Sequence, residues 1–100
     1  MKSKLTVAQA VFLADKCESL FNRAARAWVN GNNSGNMTAM KRGDRRCAKL
    51  RKEAEQLLAP FGIIVDYPGL YPSFTVNGFE EHSTIHAISA ALEKKGRVTA

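Results

Sequence analysis

One hundred residues with 15 Lys and Arg against 9 Asp and Glu carry a formal charge of +6 and suffice for a single domain, residues 1–100, with a modest core. Apolar content of 45% and charged content of 24% exclude a disordered or fibrous chain, and no run approaches the ~18 apolar residues of a membrane span. Cys17 and Cys47 form no CxxC pair, so free buried thiols in a reducing compartment are expected rather than a disulfide scaffold.

At the N-terminus, Met1-Lys2-Ser3-Lys4 followed by LTVAQAVFLA has the outline of a short signal peptide. Thr6 and Gln9 interrupt the apolar run, however, and a cut after Ala14 would place Phe12 where a small residue is required. A cytoplasmic protein with no membrane partner is therefore expected, and the sequons at Asn32 and Asn36 then carry no meaning. The first helix is predicted over 6–30. It opens on Thr6-Val7-Ala8-Gln9, a capping box, and its apolar stripe is Leu13, Cys17, Leu20, Ala24 and Trp28. Phe12 breaks the pattern, because 100° per residue puts it beside Lys16 and Ser19 on the polar face. Either the later ribbon or a loop covers it, or it contacts a partner.

Asn30 to Asn36 reads as a flexible polar connector that lets a second helix, predicted over 38–59, fold back antiparallel. Met40, Gly43, Cys47, Leu50, Ala54, Leu57 and Phe61 form its apolar seam, and Pro60 ends it. Its other face carries Lys41, Arg42, Arg45, Arg46, Lys49 and Lys52. From Lys41 to Lys52 seven basic residues meet one acid, Asp44, while the rest of the chain holds eight of each sign. The net charge thus sits on half a helix. It reads as a solvated face, a contact for an acidic protein, or a track for nucleic-acid phosphates. No aromatic interleaves it as a base-stacking platform would require.

Between 62 and 78 the apolar period changes from 3.6 to 2, which predicts a two-stranded ribbon lying on the helices. Its loop is Tyr67, Pro68, Gly69, Leu70, Tyr71 and Pro72, with Tyr67-Pro68-Gly69-Leu70 in the pattern of a type II turn. Asn77-Gly78 supplies a further turn at the end of the second strand. The loop is a candidate anchor for a partner, since Tyr is enriched at binding hot spots; the plainer reading packs its tyrosines on the second helix. X–Pro bonds have a small cis–trans preference, so Pro68 is also a candidate switch on which a prolyl isomerase could act. A last helix is predicted over 83–95, capped by Ser83 or Thr84 and ended by Gly96, with Lys94 and Lys95 suiting the negative end of its dipole and a tail from Arg97. The whole is an α+β fold, mainly helical: two long antiparallel helices, a short ribbon with a proline loop, and a C-terminal helix.

No constellation calls for catalysis, a metal or a cofactor. His82 and His86 lack a credible third ligand, and His82 precedes the last helix. Neither cysteine pairs with a histidine, and no glycine-rich loop opens a helix. A non-enzyme is expected.

The tract from Asp66 to Thr84, DYPGLYPSFTVNGFEEHST, behind two long helices in a small basic chain, resembles accessory proteins of lambda-like temperate phages. More narrowly it resembles the phage anti-RecBCD proteins, which bind the host helicase–nuclease and modify it in favour of phage recombination. The resemblance implies a host protein partner, the host cytoplasm and no cofactor. A small basic nucleic-acid-binding protein using the face from Lys41 to Lys52 is the alternative.

Overall fold

Thr6 starts the first helix as its sequence demands, since its hydroxyl accepts from the Gln9 amide at 3.1 Å while the Gln9 side chain accepts from the Thr6 amide at 2.9 Å. The computed structural model describes the backbone of residues 5–99 and the side chains of residues 5–92, so the reading of Met1 to Lys4 lies outside the described residues. In chain order the elements are α1 (Val7–Asn33), α2 (Met37–Leu58), a 3-10 turn (Ala59–Phe61), β1 (Ile63–Asp66), β2 (Ser73–Val76), β3 (Phe79–Glu81) and α3 (Thr84–Thr99). The mainly helical α+β reading holds. No helix among the described residues is long and apolar enough to cross a membrane.

The polar connector is far shorter than expected. α1 continues through Asn33, and only residues 34–36 link it to α2. Asparagine and glycine serve as caps here. Asn36 accepts from the amides of Thr38 at 2.9 Å and Ala39 at 3.3 Å, the Ser34 hydroxyl donates to the Gly31 carbonyl at 2.7 Å, and Gly35 takes φ 71°. Gly31 is buried in the helix interior. Two further expectations on the helices fail. Trp28 is 42% exposed, because the main core stops at Ala24 on α1. At the end of α2 the fully buried residue is Leu58, with Leu57 and, in the turn that follows, Phe61 only half-buried. A straight helix drifts ~20° per heptad against a 3.5 repeat, so by the last turn the seam has moved one residue on.

The ribbon is a three-stranded antiparallel sheet in the order β1-β2-β3. Asn77 at φ 54° and Gly78 at φ 86° form the two-residue turn of a second hairpin that Phe79–Glu81 completes. Ile63 pairs with Val76 and Val65 with Phe74, which sends these four to the core face and Ile64, Asp66, Ser73 and Thr75 outward. Ser83 caps α3, its hydroxyl accepting from the His86 amide at 3.2 Å. α3 runs on through Gly96 to Thr99, because a glycine in a helix costs only ~1 kcal/mol and does not itself end it. The expected roles of Lys94 and Lys95 fall beyond the described side chains.

One core joins all the layers: Cys17, Phe21 and Ala24 of α1, Cys47, Ala54 and Leu58 of α2, Phe74 and Val76 of β2, and Ile88 of α3. Cys17 is wholly buried at the helix seam, its Sγ 4.0 Å from the Ala54 carbonyl, and burial pushes its thiol from 9.0 up to about 11, with Lys16 pulling weakly downward. The folded value lies above the unfolded one. Its contribution to stability is therefore intact below pH 9.0 and drains away as pH rises towards 11. Urea titrations at intervals across that window should show stability declining less steeply in Cys17→Ala than in the parent protein. Equal declines would mean that the thiol is not desolvated.

Candidate functional site

The proline loop is fastened to the helices at its start and its middle. Tyr67 lies between α1 and α2, its ring edge-on to Phe21 at 6.3 Å, with the Arg51 guanidinium 4.0 Å above its centroid. The Tyr67 hydroxyl donates to Glu55 at 2.5 Å, and the Arg51 guanidinium donates to the Leu70 carbonyl at 3.0 Å. Arg51 and Glu55 are one turn apart on α2, so a single face of that helix holds the start and the middle of the loop. Burial and the bond to the Glu55 carboxylate push the Tyr67 phenol far above its ordinary range.

This geometry divides the six loop residues. Tyr67 packs on α2 and Leu70 is half-buried, whereas Pro68 and Gly69 are exposed and Pro72 is half-buried. Tyr71 stands 58% exposed over Asn22, Ala25, Arg26 and Val29 of α1. The type II turn does not form, because Gly69 is not among the glycines with positive φ and such a turn needs one at that position. The hydrogen bond from Arg51 to Leu70 fixes the chain instead. Both X–Pro bonds of the loop are trans.

Phe12 is 70% exposed; no part of the sheet covers it. At 100° per residue it shares a stripe of α1 with Ser19, Arg23 and Asn30. All six cations of the α2 face, Lys41, Arg42, Arg45, Arg46, Lys49 and Lys52, are exposed.

The helix hairpin brings two of those six together with residues from α1. Arg42 and Arg46 of α2 face Arg23 and Arg26 of α1 across a groove of about 430 Å³, whose remaining lining is Ala27, Asn30, Gly31, Ala39 and Gly43. The groove exists because the two backbones nearly touch. A Cβ on Gly43 would lie 2.6 Å from the Ala27 carbonyl oxygen, and one on Gly31 would lie 2.9 Å from that of Ala39. Arg26 also lines the hollow under Tyr71, so groove and loop tip are neighbours. His82 and His86 are exposed, and no group of three or more ligating side chains converges among the described residues.

No family model, curated protein or solved structure matches the chain.

The sequence predicts neither the pairing of α1 arginines with α2 arginines nor the role of Arg51, which counts among the seven basic residues from Lys41 to Lys52 but lies off the predicted basic face. A signal for the first was present. Ala27-x-x-x-Gly31 and Ala39-x-x-x-Gly43 are small residues one turn apart on consecutive helices, a pattern that lets backbones approach closely. No local signal marks Arg51, whose role depends on a loop 19 residues further on.

Proposed function

We propose that this chain is a non-catalytic, phage-encoded modulator that binds the host RecBCD helicase–nuclease in the host cytoplasm and alters its activity in favour of phage recombination. The observation that carries this reading is Tyr71, an aromatic left more than half exposed on a loop whose neighbours Tyr67 and Leu70 are held by α2. A rigid, exposed tyrosine makes a strong anchor, because little conformational freedom is lost when it docks. Phe12 and the α2 cations would extend the contact. The resemblance of the tract from Asp66 to Thr84 to the anti-RecBCD proteins supplies the partner.

A host prolyl isomerase acting at Pro68 belongs to the same proposal, and exposure of Pro68 and Gly69 favours it. Rotation about that bond would have to release Tyr67 from Glu55 or Leu70 from Arg51.

Surface plasmon resonance against purified RecBCD tests the reading. Tyr71→Ala should weaken binding ~30-fold, the effect of a 2 kcal/mol hot spot, with the thermal midpoint unchanged. If affinity is retained, the loop is not the anchor. If the parent protein does not bind at all, RecBCD is the wrong partner.

A second reading, nucleic-acid binding by the α2 face from Lys41 to Lys52, is favoured by the convergence of four arginines on one groove.

A further inference from the structure

The groove between α1 and α2 differs in kind from the open cationic face beside it. It is concave, it draws arginines from both helices, and its floor is Ala27, Gly31, Ala39 and Gly43. Its volume of about 430 Å³ is many times the ~30 Å³ share of one water, so it takes more than a lone ion. All four of its cations are arginine, whose planar fork grips the oxygens of a phosphate or carboxylate in pairs. On α1, Arg23 and Arg26 are about 4.5 Å apart along the axis; on α2, Arg42 and Arg46 are about 6 Å apart. The groove therefore presents two successive rungs of charge along its length.

We propose that this groove is a phosphate-binding site that takes the sugar–phosphate backbone of a nucleic-acid single strand. The floor decides between phosphate and an acidic protein segment. An acidic helix docks by burying apolar anchors, and a floor of alanine and glycine offers no pocket for them. A phosphodiester strand needs no such pocket. It is also narrow enough to lie along the seam of two helices whose backbones are in contact, an approach that Gly31 and Gly43 permit because a Cβ on either would strike a main-chain oxygen of the other helix. The inference rests on the second reading above, that nucleic acid is a ligand, and moves the principal contact from the outward α2 face to the groove.

The test measures binding of a fluorescently labelled oligothymidylate to the full chain by anisotropy over a range of salt. Two double variants remove equal charge from exposed positions: Arg23→Gln with Arg26→Gln in the groove, and Lys41→Gln with Lys52→Gln on α2, roughly 100° round the helix from Arg42 and Arg46. Far-UV circular dichroism should show all proteins equally helical. The arginine pair should lower affinity about tenfold or more and reduce the log–log salt slope by about 1.4, while the lysine pair has a clearly smaller effect on both. Equal losses from the two pairs overturn the groove and leave the α2-face reading standing. Absence of binding by the parent protein overturns both. Displacement of the oligonucleotide by poly-glutamate of matched charge, with the same dependence on Arg23 and Arg26, also overturns the proposal and assigns the groove to an acidic peptide.

Discussion

Phe74→Ala should lower the stability of this protein by about 3–5 kcal/mol, the largest effect expected of any single truncation here. Phe74 is 1% exposed in β2, the central strand of the sheet, where it pairs with Val65 on one side and Glu81 on the other. Its ring meets Phe21 of α1 edge-on at 5.8 Å, and Phe21 in turn meets Tyr67. Deleting the ring opens a cavity at the junction of sheet and helices, where rigid elements on both sides prevent collapse. Domains of this size have about 5–15 kcal/mol in total, so a large part of the margin goes. The urea midpoint should fall by more than about 1 M with little change in slope. Phe79→Ala is the control. Phe79 is 72% exposed on the edge strand, and its loss should change stability by no more than about 0.5 kcal/mol. Comparable effects at the two positions would mean that the sheet does not pack its Phe74 face on the helices.

What could be read in the sequence was what local chemistry decides. The Thr6–Gln9 box, the seam from Gly43 to Ala54, the stop at Pro60 and the alternation through Ile63 to Val65 and Phe74 to Val76 all depend on neighbours within a turn or a strand. Asn77-Gly78 signals a turn and is one, but Phe79-Glu80-Glu81 is too short and acidic to signal the strand that follows it. The segment from Asn30 to Asn33 has a composition that predicts a loop. Its backbone remains helical because Gly31 is wedged against α2, which outweighs propensity. The candidate surfaces were legible as single elements only. The six α2 cations and the exposure of Phe12 follow from helical phase. Whether Tyr67 or Tyr71 stays free, and which arginines share a groove, depends on residues 12 to 49 positions apart in the chain. Such pairings leave no periodic trace.

The second large effect concerns Gly43, and there two opposing terms must be weighed. Replacing a glycine inside a helix by alanine ordinarily stabilises by about 1 kcal/mol, since the unfolded chain loses freedom. At Gly43 the added Cβ would sit 2.6 Å from the Ala27 carbonyl oxygen and 3.1 Å from the Gly31 Cα. Both are main-chain atoms of a long helix, so neither can rotate away. The helices must separate, and overpacking of this kind costs about 1–3 kcal/mol. The steric term wins, and Gly43→Ala should lower the thermal midpoint by several degrees. Gly69→Ala calibrates the measurement, because no atom lies within 4 Å of its added Cβ and its φ is not positive. That variant should hold or raise the midpoint. A Gly43→Ala protein as stable as Gly69→Ala would show that α1 and α2 do not touch along Ala27 to Gly31. The arginines of the two helices would then share no common floor, and Arg23 and Arg26 would act independently of Arg42 and Arg46.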